Sequence, residues 1–286
     1  MHFLLLLLTA LLLTGQKITQ KRYNAVCKSG AFLFGSMISF CAMAVFAALN
    51  RDWTRHPSFI LPALGFGLSY AAATVFTVLA IRHGSLARTT LVTSYSLLVP
   101  AAAGLIILRE PLKPSMMAGI ILLVISLWLT HHRKASKGEG KTVTPKWLVF
   151  VTLSFAGNGL CSTVQKLAPR YIGDSLNQNL YMTAALGLSG VVLVTASFLA
   201  KESDRPETLR RGTPLAVICG LCNAGVNFLV LYLNQHLPAS VMFPAISAGQ
   251  IILVCAYSLL FSHETFTPKQ WAGFAVGICS VVLLNL

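Results

Sequence analysis

The chain has 286 residues, of which 55% are apolar and 10% are charged, and its mean hydropathy is +0.72. One core cannot hide so much apolar surface, so the composition excludes a soluble domain and indicates a membrane protein. The net charge of +14 does not indicate a nucleic-acid partner, because the lysines and arginines lie at the ends of apolar segments and in short loops.

Ten apolar segments follow one another along the chain. Each is predicted to be a membrane-spanning helix, because lipid forces the backbone to satisfy its own hydrogen bonds and no alternating barrel pattern is present. Spans 1 to 5 cover residues 3–15, 31–49, 59–81, 91–108 and 116–130. Spans 6 to 10 cover residues 147–166, 176–200, 214–233, 240–261 and 271–286. The predicted fold class is an all-α membrane protein with ten transmembrane helices.

Span 1 is short, and its leucine run over residues 4–8 is similar to the core of a cleavable signal peptide. No positive residue precedes the run, and no clean cleavage site follows it. A shift of 149 positions also aligns span 1 with span 6, pairing Thr9 with Asn158, Gln16 with Gln165 and Lys17 with Lys166. We therefore predict that span 1 is a retained helix and the partner of span 6.

A second register relates spans 5 and 10. A shift of 154 positions pairs Glu110 with Glu264, Pro114 with Pro268, Ala118 with Ala272, Gly119 with Gly273 and Ser126 with Ser280. Each half then holds five spans, and because five is odd, the second half enters the membrane from the opposite side. We predict two inverted five-helix repeats, residues 1–132 and 147–286, joined by a basic linker over residues 133–146.

The positive charges predict the orientation of the chain. Most of the 22 lysines and arginines follow the odd-numbered spans, and loops rich in these residues stay in the cytoplasm. The linker is therefore predicted to be cytoplasmic and both termini external, in a multi-pass protein of the cell membrane.

Glu110 and Glu264 stand four positions before Pro114 and Pro268, at the predicted first turn of the next helix. Proline loses no hydrogen bond there, and a carboxylate complements the positive end of the helix dipole. We interpret these four residues as stabilising the turns. On the last span, Gly273 and Gly277 form a GxxxG motif that serves either a homodimer or a contact inside the bundle.

The sequence lacks the motifs of nucleotide binding and of metal-dependent hydrolysis. The seven cysteines show no metal-ligand spacing beyond one CxxC, at Cys219 and Cys222, and are interpreted as small buried thiols. All eight acidic residues fall in loops or at span ends, away from the bilayer centre where a carboxylate would be functional. We therefore predict no enzyme, no cofactor and no metal site.

Neutral polar residues at helical spacing are the candidates for a binding site. The candidate substrate-binding residues are Tyr70, Tyr95, Asn158, Gln165, Lys166, Asn223, Asn227, Gln250 and Tyr257. A competing interpretation is structural, because amides and hydroxyls also join membrane helices to one another and tyrosines also pack. For Lys17 and Lys166 the alternatives are snorkelling to the headgroups and attraction of an anionic or zwitterionic solute.

The block over residues 91–129, with Pro100, Glu110, Pro114 and Gly119, resembles the EamA-type repeat of the drug/metabolite transporter superfamily, in its ten-helix branch. The copy over residues 237–273 carries Glu264, Pro268 and Gly273. The family usually has glycine before the acid, where this chain has Arg109 and His263. The resemblance implies alternating access around a central cavity lined by spans 1, 3, 4, 6, 8 and 9.

The leading hypothesis is a secondary transporter of a small polar or zwitterionic metabolite, amino-acid-like in chemistry, with the solute and the lipid bilayer as partners. Span 1 lacks the membrane-embedded glutamate of four-helix drug exporters, which disfavours cationic drugs. One alternative is a membrane-embedded enzyme acting on a lipid carrier, which needs histidines that converge with a carboxylate. The other is a scaffold that transports nothing, which predicts a bundle without a central cavity.

Overall fold

The structure is a computed structural model that describes residues 2–51, 53, 59–109, 114–131, 144–172, 178–202, 205–262 and 268–284. Every regular element in these ranges is helical. Eight helices in the described ranges are long and apolar enough to cross a membrane. The chain is therefore an all-helical, multi-pass membrane protein, as its composition predicts.

The first half contains α1 (His2–Val26), α2 (Ala31–Leu49), α3 (Ile60–His83), α4 (Leu86–Tyr95), α5 (Leu98–Ile107) and α6 (Pro114–His131). The second half contains α7 (Pro145–Ile172), α8 (Gln178–Leu199), the short α9 (Arg205–Glu207), α10 (Thr213–His236), α11 (Ala239–Ser262) and α12 (Pro268–Leu284). A π-helical stretch, Thr208–Gly212, joins α9 to α10. Helices α6 and α12 correspond to spans 5 and 10 but are not among the eight, so the count of ten stays a prediction.

Helix α1 is much longer than span 1. The span was predicted to end at Gly15, but the helix continues to Val26. Its polar second part does not end the helix because Gln16, Thr19 and Gln20 are buried inside the bundle. Lys17 therefore lies well inside a helix instead of near its end.

Span 4 is split into α4 and α5 by a turn at Ser96 and Leu97. Pro100 has no N–H to donate to the carbonyl of Ser96, which instead accepts from the N–H of Val99 at 3.1 Å. The N–H groups of Ser96 and Leu97 likewise bond carbonyls three residues back, at 3.2 Å each. The break therefore follows from one proline next to a tightened turn.

The helices of the two halves pack in corresponding pairs. Helix α3 packs on α7 as α1 packs on α10, and α2 packs on α10 as α3 packs on α8. Helices α2 and α8 pack on each other, and so do α6 and α12. Each of these contacts between a helix of one half and a helix of the other thus has a counterpart in which the halves change places. The α2–α8 and α6–α12 contacts are their own counterparts.

Helices α6 and α12 are joined by two reciprocal hydrogen bonds. The Ser126 hydroxyl donates to the carbonyl of Gly273 at 2.6 Å, and the Ser280 hydroxyl donates to that of Gly119 at 2.7 Å. Because residue 119 faces 280 and residue 126 faces 273, the two helices run antiparallel. A Cβ on Gly277 would lie 2.7 Å from the Ser126 hydroxyl, so this glycine face contacts α6 inside the chain.

The predicted turns are described only in part. Pro114 and Pro268 are the first residues of α6 and α12, the position where proline costs no hydrogen bond. Glu110, Glu264 and most of the linker lie outside the described residues, so their roles stay predictions. The second half begins its first helix at Pro145, two positions before the predicted boundary.

Candidate functional site

A polar cavity of about 100 Å³ lies between the two halves. Its lining comes from α1, α3, α4 with the following turn, α7, α10 and α11, together with Ile38 of α2. Spans 1, 3, 4, 6, 8 and 9 correspond to these elements, so the cavity has the lining that the family resemblance implies. Both halves contribute to it.

The structure brings six of the nine predicted binding residues to this cavity. They are Tyr70, Asn158, Gln165, Asn223, Asn227 and Gln250. Tyr95, Lys166 and Tyr257 are not part of its lining. Whether any of the nine binds substrate stays a prediction.

Three of the lining amides bond one another across α7 and α10. The Gln165 amide donates to Asn227 Oδ1 at 3.2 Å, and the Asn227 amide donates to the carbonyl and to Oδ1 of Asn223 at 3.0 Å each. Buried amides paired in this way hold two helices in register. This network positions one wall of the cavity.

Asn158 lies beside the break between α4 and α5. Its amide Nδ2 donates to the Ser96 hydroxyl at 2.6 Å. Helix ends leave backbone groups without intrahelical partners, so a break needs neighbouring polar side chains. Asn158 therefore links α7 to the broken helix at the cavity wall.

Lys166 is not part of the cavity lining and bonds backbone carbonyls instead. Its ammonium donates to the carbonyls of Leu237 at 3.2 Å and Asn234 at 3.4 Å, at the C-terminal end of α10. A cation there complements the negative end of the helix dipole. Only 8% of Lys166 is exposed, so the structure does not support the snorkelling interpretation for this residue.

The candidate list from the sequence missed a polar face of α1. Gln16, Lys17 and Gln20 line the cavity, and they lie beyond Gly15, where span 1 was predicted to end. The repeat could have identified Gln16 and Lys17 as candidates, because the shift of 149 equates them with Gln165 and Lys166.

The described acidic residues lie outside the cavity. Glu202 accepts from the N–H groups of Phe32 at 3.0 Å and Leu33 at 3.2 Å, and from the Ser197 hydroxyl at 2.7 Å. A loop of the second half thereby caps the N-terminus of α2 in the first half. Glu207 pairs with Arg211 at 3.6 Å on the surface.

Two of the described histidines, His83 and His236, form hydrogen bonds with their own helices. His83 Nδ1 lies 2.9 Å from the carbonyl of Leu79, and His236 Nδ1 lies 2.8 Å from that of Tyr232. In the described part of the chain, no group of three or more histidine, cysteine or acidic residues is placed to hold a metal ion. His56, His132 and His263 lie outside the described residues.

Comparisons with known proteins agree with this architecture. Residues 145–286 match the model of the EamA-like transporter family. A crystal structure of a protein with 15% sequence identity superposes with a TM-score of 0.70, over 99% of this chain and 95% of that one. At that identity the likeness concerns the fold alone. No curated protein matches the chain.

Proposed function

We propose that this chain, whose residues 145–286 match the EamA-like transporter family, is a secondary transporter. It moves a small polar or zwitterionic metabolite, amino-acid-like in chemistry, across the cell membrane by alternating access. A gradient drives the movement, and the protein has no catalytic role.

The observation that carries this proposal is the polar cavity between the halves. Solute sites in transporters built from repeats lie at the repeat interface, often beside interrupted helices. Here six helices contribute polar side chains to the cavity lining, and the α4–α5 break and Asn158 lie at its wall. A scaffold that transports nothing would have no need of such a cavity.

Two inverted five-helix repeats with ten membrane helices are part of the proposal. The reciprocal Ser126 and Ser280 bonds support it, because they join antiparallel helices through residues that the repeat equates. The exchange of helix pairs between the halves supports it as well. Rocking of one half against the other would then expose the cavity to each side in turn.

The orientation belongs to the same proposal. Loops rich in lysine and arginine remain cytoplasmic, so we place the linker inside the cell and both termini outside. Accessibility of single cysteines in the linker to an impermeant thiol reagent, compared in intact and opened cells, tests this orientation.

Flux through the purified protein tests the function. The protein is reconstituted in sealed liposomes, and uptake of labelled amino acids, sugars and nucleosides is measured against protein-free liposomes. We expect saturable uptake of at least one polar solute, recovered unchanged inside the vesicles. Absence of flux and of ligand-induced thermal stabilisation for every solute would contradict the proposal. Chemical conversion of an added lipid carrier would favour the enzyme alternative.

A further inference from the structure

Lys17 differs in charge from the rest of the cavity lining. Among the described residues that line the cavity it is the one charged side chain, and Glu202 and Glu207 lie elsewhere. The cavity wall is otherwise apolar or neutral and polar. The site therefore favours a solute that brings a negative charge.

The ammonium of Lys17 has no hydrogen-bond or ion-pair partner among the described residues. Within the described part of the chain, neither a hydrogen bond nor an ion pair joins it to another residue. A cation removed from water without a partner is unfavourable, and an anion bound beside it offsets that cost. Lys17 lies within α1, nine positions before the last residue of the helix, Val26.

Three glutamines of the cavity lining have polar atoms without a hydrogen-bond partner in the described structure. They are Gln16 Nε2, Gln20 Oε1 and Gln250 Nε2. Each side chain is more than nine-tenths buried, with exposed fractions of 8%, 5% and 4%, and each lines the cavity. Two donors and one acceptor without partners therefore line the same cavity as Lys17.

These groups match the two ends of an amino acid. We infer that Lys17 binds the carboxylate of a zwitterionic solute, with the free Gln16 and Gln250 amides as further donors and Gln20 Oε1 as an acceptor for the solute's ammonium. This inference rests on the proposed transport function and names its substrate class. One cation suits a single carboxylate, whereas a doubly charged phosphate would need more positive charge.

Lys166, which the repeat equates with Lys17, already makes hydrogen bonds within the protein. Lys166 donates to two carbonyls at the end of α10, and Gln165 donates to Asn227. Only Lys17, in the first half, therefore supplies the cation of this site, although the sequence offers two Gln-Lys pairs.

The test compares matched ligands on matched variants of the full chain. Each proteinogenic L-amino acid is assayed beside its carboxamide and its des-amino acid, by thermal stabilisation of the purified protein and by liposome uptake. Lys17→Met removes the charge, Lys17→Arg keeps it, and Lys21→Met removes the charge one helical turn further along α1. Lys21 does not line the cavity, so its variant is the control.

We expect at least one amino acid to bind on the order of tenfold more tightly than its carboxamide, because a hydrogen bond between charged groups is lost in the amide. Lys17→Met weakens the binding of that amino acid on the order of tenfold to a hundredfold and removes the preference for it over its carboxamide. Lys21→Met retains the preference, and Lys17→Arg restores most of it. Gln20→Met removes the advantage of the amino acid over its des-amino acid.

Three results overturn the inference. They are equal binding of acid and carboxamide, unchanged carboxylate binding by folded Lys17→Met, and no binding by any member of the panel. Flux of neutral sugars or nucleosides with any of these results leaves the transport function standing. Absence of all flux contradicts the transport function itself.

Discussion

Helices α1 and α7 hold the same Gln-Lys pair in equivalent places, yet the pairs have different surroundings. In α7, Lys166 bonds the end of α10 and Gln165 bonds Asn227. In α1, Lys17 has no partner within the described chain, and neither does Gln16 Nε2. Residues that the repeat equates therefore occupy corresponding positions, but the groups around each residue determine what it binds.

The fourth helices of the two halves differ in the same way. The first half has the α4–α5 break, while α11 in the second half continues through Pro244. Ser94, just before the break, accepts at its carbonyl from the Ser247 hydroxyl at 3.0 Å and donates to Gln250 Oε1 at 3.2 Å. The irregular features of the cavity wall thus lie in the first half.

The largest effect on stability is expected where α3 meets α7. A Cβ on Gly157 would lie 2.7 Å from the backbone N of Ala73 and 2.9 Å from the carbonyl of Ser69. Because backbone yields less than a side chain, Gly157→Ala lowers the free energy of unfolding by up to about 3 kcal/mol. Chemical denaturation in detergent measures it.

The matched change between α1 and α10 is Gly225→Ala. Its Cβ would meet Leu12 Cδ1 at 2.9 Å, the end of a flexible side chain. We expect a loss below about 1 kcal/mol, partly offset by the better helix propensity of alanine. Equal losses for the two variants would show that the two helix pairs pack with the same tolerance, contrary to this structure.

The next largest effect on stability is the difference between replacing Lys166 and replacing Lys17. Lys166→Met removes two hydrogen bonds from a buried ammonium and costs about 2 kcal/mol of unfolding free energy. Lys17→Met removes a charge without a partner and costs little or stabilises the protein. Thermal denaturation of both variants without ligand measures the difference, and a larger loss for Lys17→Met would reverse the assignment.

Glu202→Gln tests the contact by which the second half caps α2 of the first. The change weakens the bonds to the N–H groups of Phe32 and Leu33 and costs about 1 kcal/mol. Glu207→Gln is the control, because the exposed pair of Glu207 with Arg211 contributes little. Comparable destabilisation by both variants would argue against the cap.

The smallest effect on stability is expected at the α6–α12 contact, where the two halves make equivalent hydrogen bonds. Ser126→Ala and Ser280→Ala each remove one of two reciprocal hydrogen bonds, and each costs about 0.6 kcal/mol. Denaturation midpoints of the two variants should agree closely. A large loss in only one of them would mean that α6 and α12 do not contribute equivalently.

Much of this architecture could be predicted from the sequence. The hydropathy of the chain predicted a membrane protein, and the shift of 154 paired Gly119 with Gly273 and Ser126 with Ser280. In the structure Ser126 donates to Gly273 and Ser280 donates to Gly119. The end of span 1 at Gly15 was wrong, because hydropathy cannot tell a buried polar helix face from a loop. The roles of residues within the site could not be predicted either. The sequence shows that Lys17 and Lys166 correspond, but it does not show that two backbone carbonyls accept hydrogen bonds from Lys166.

A structure of the protein in lipid nanodiscs with the amino acid that stabilises it most tests the central claim most directly. The account predicts the solute in the cavity between the halves, with its carboxylate within hydrogen-bond distance of Lys17 Nζ and with Lys166 still bonded to the end of α10. A solute whose carboxylate contacts Lys166, or that lies outside the cavity, would contradict it.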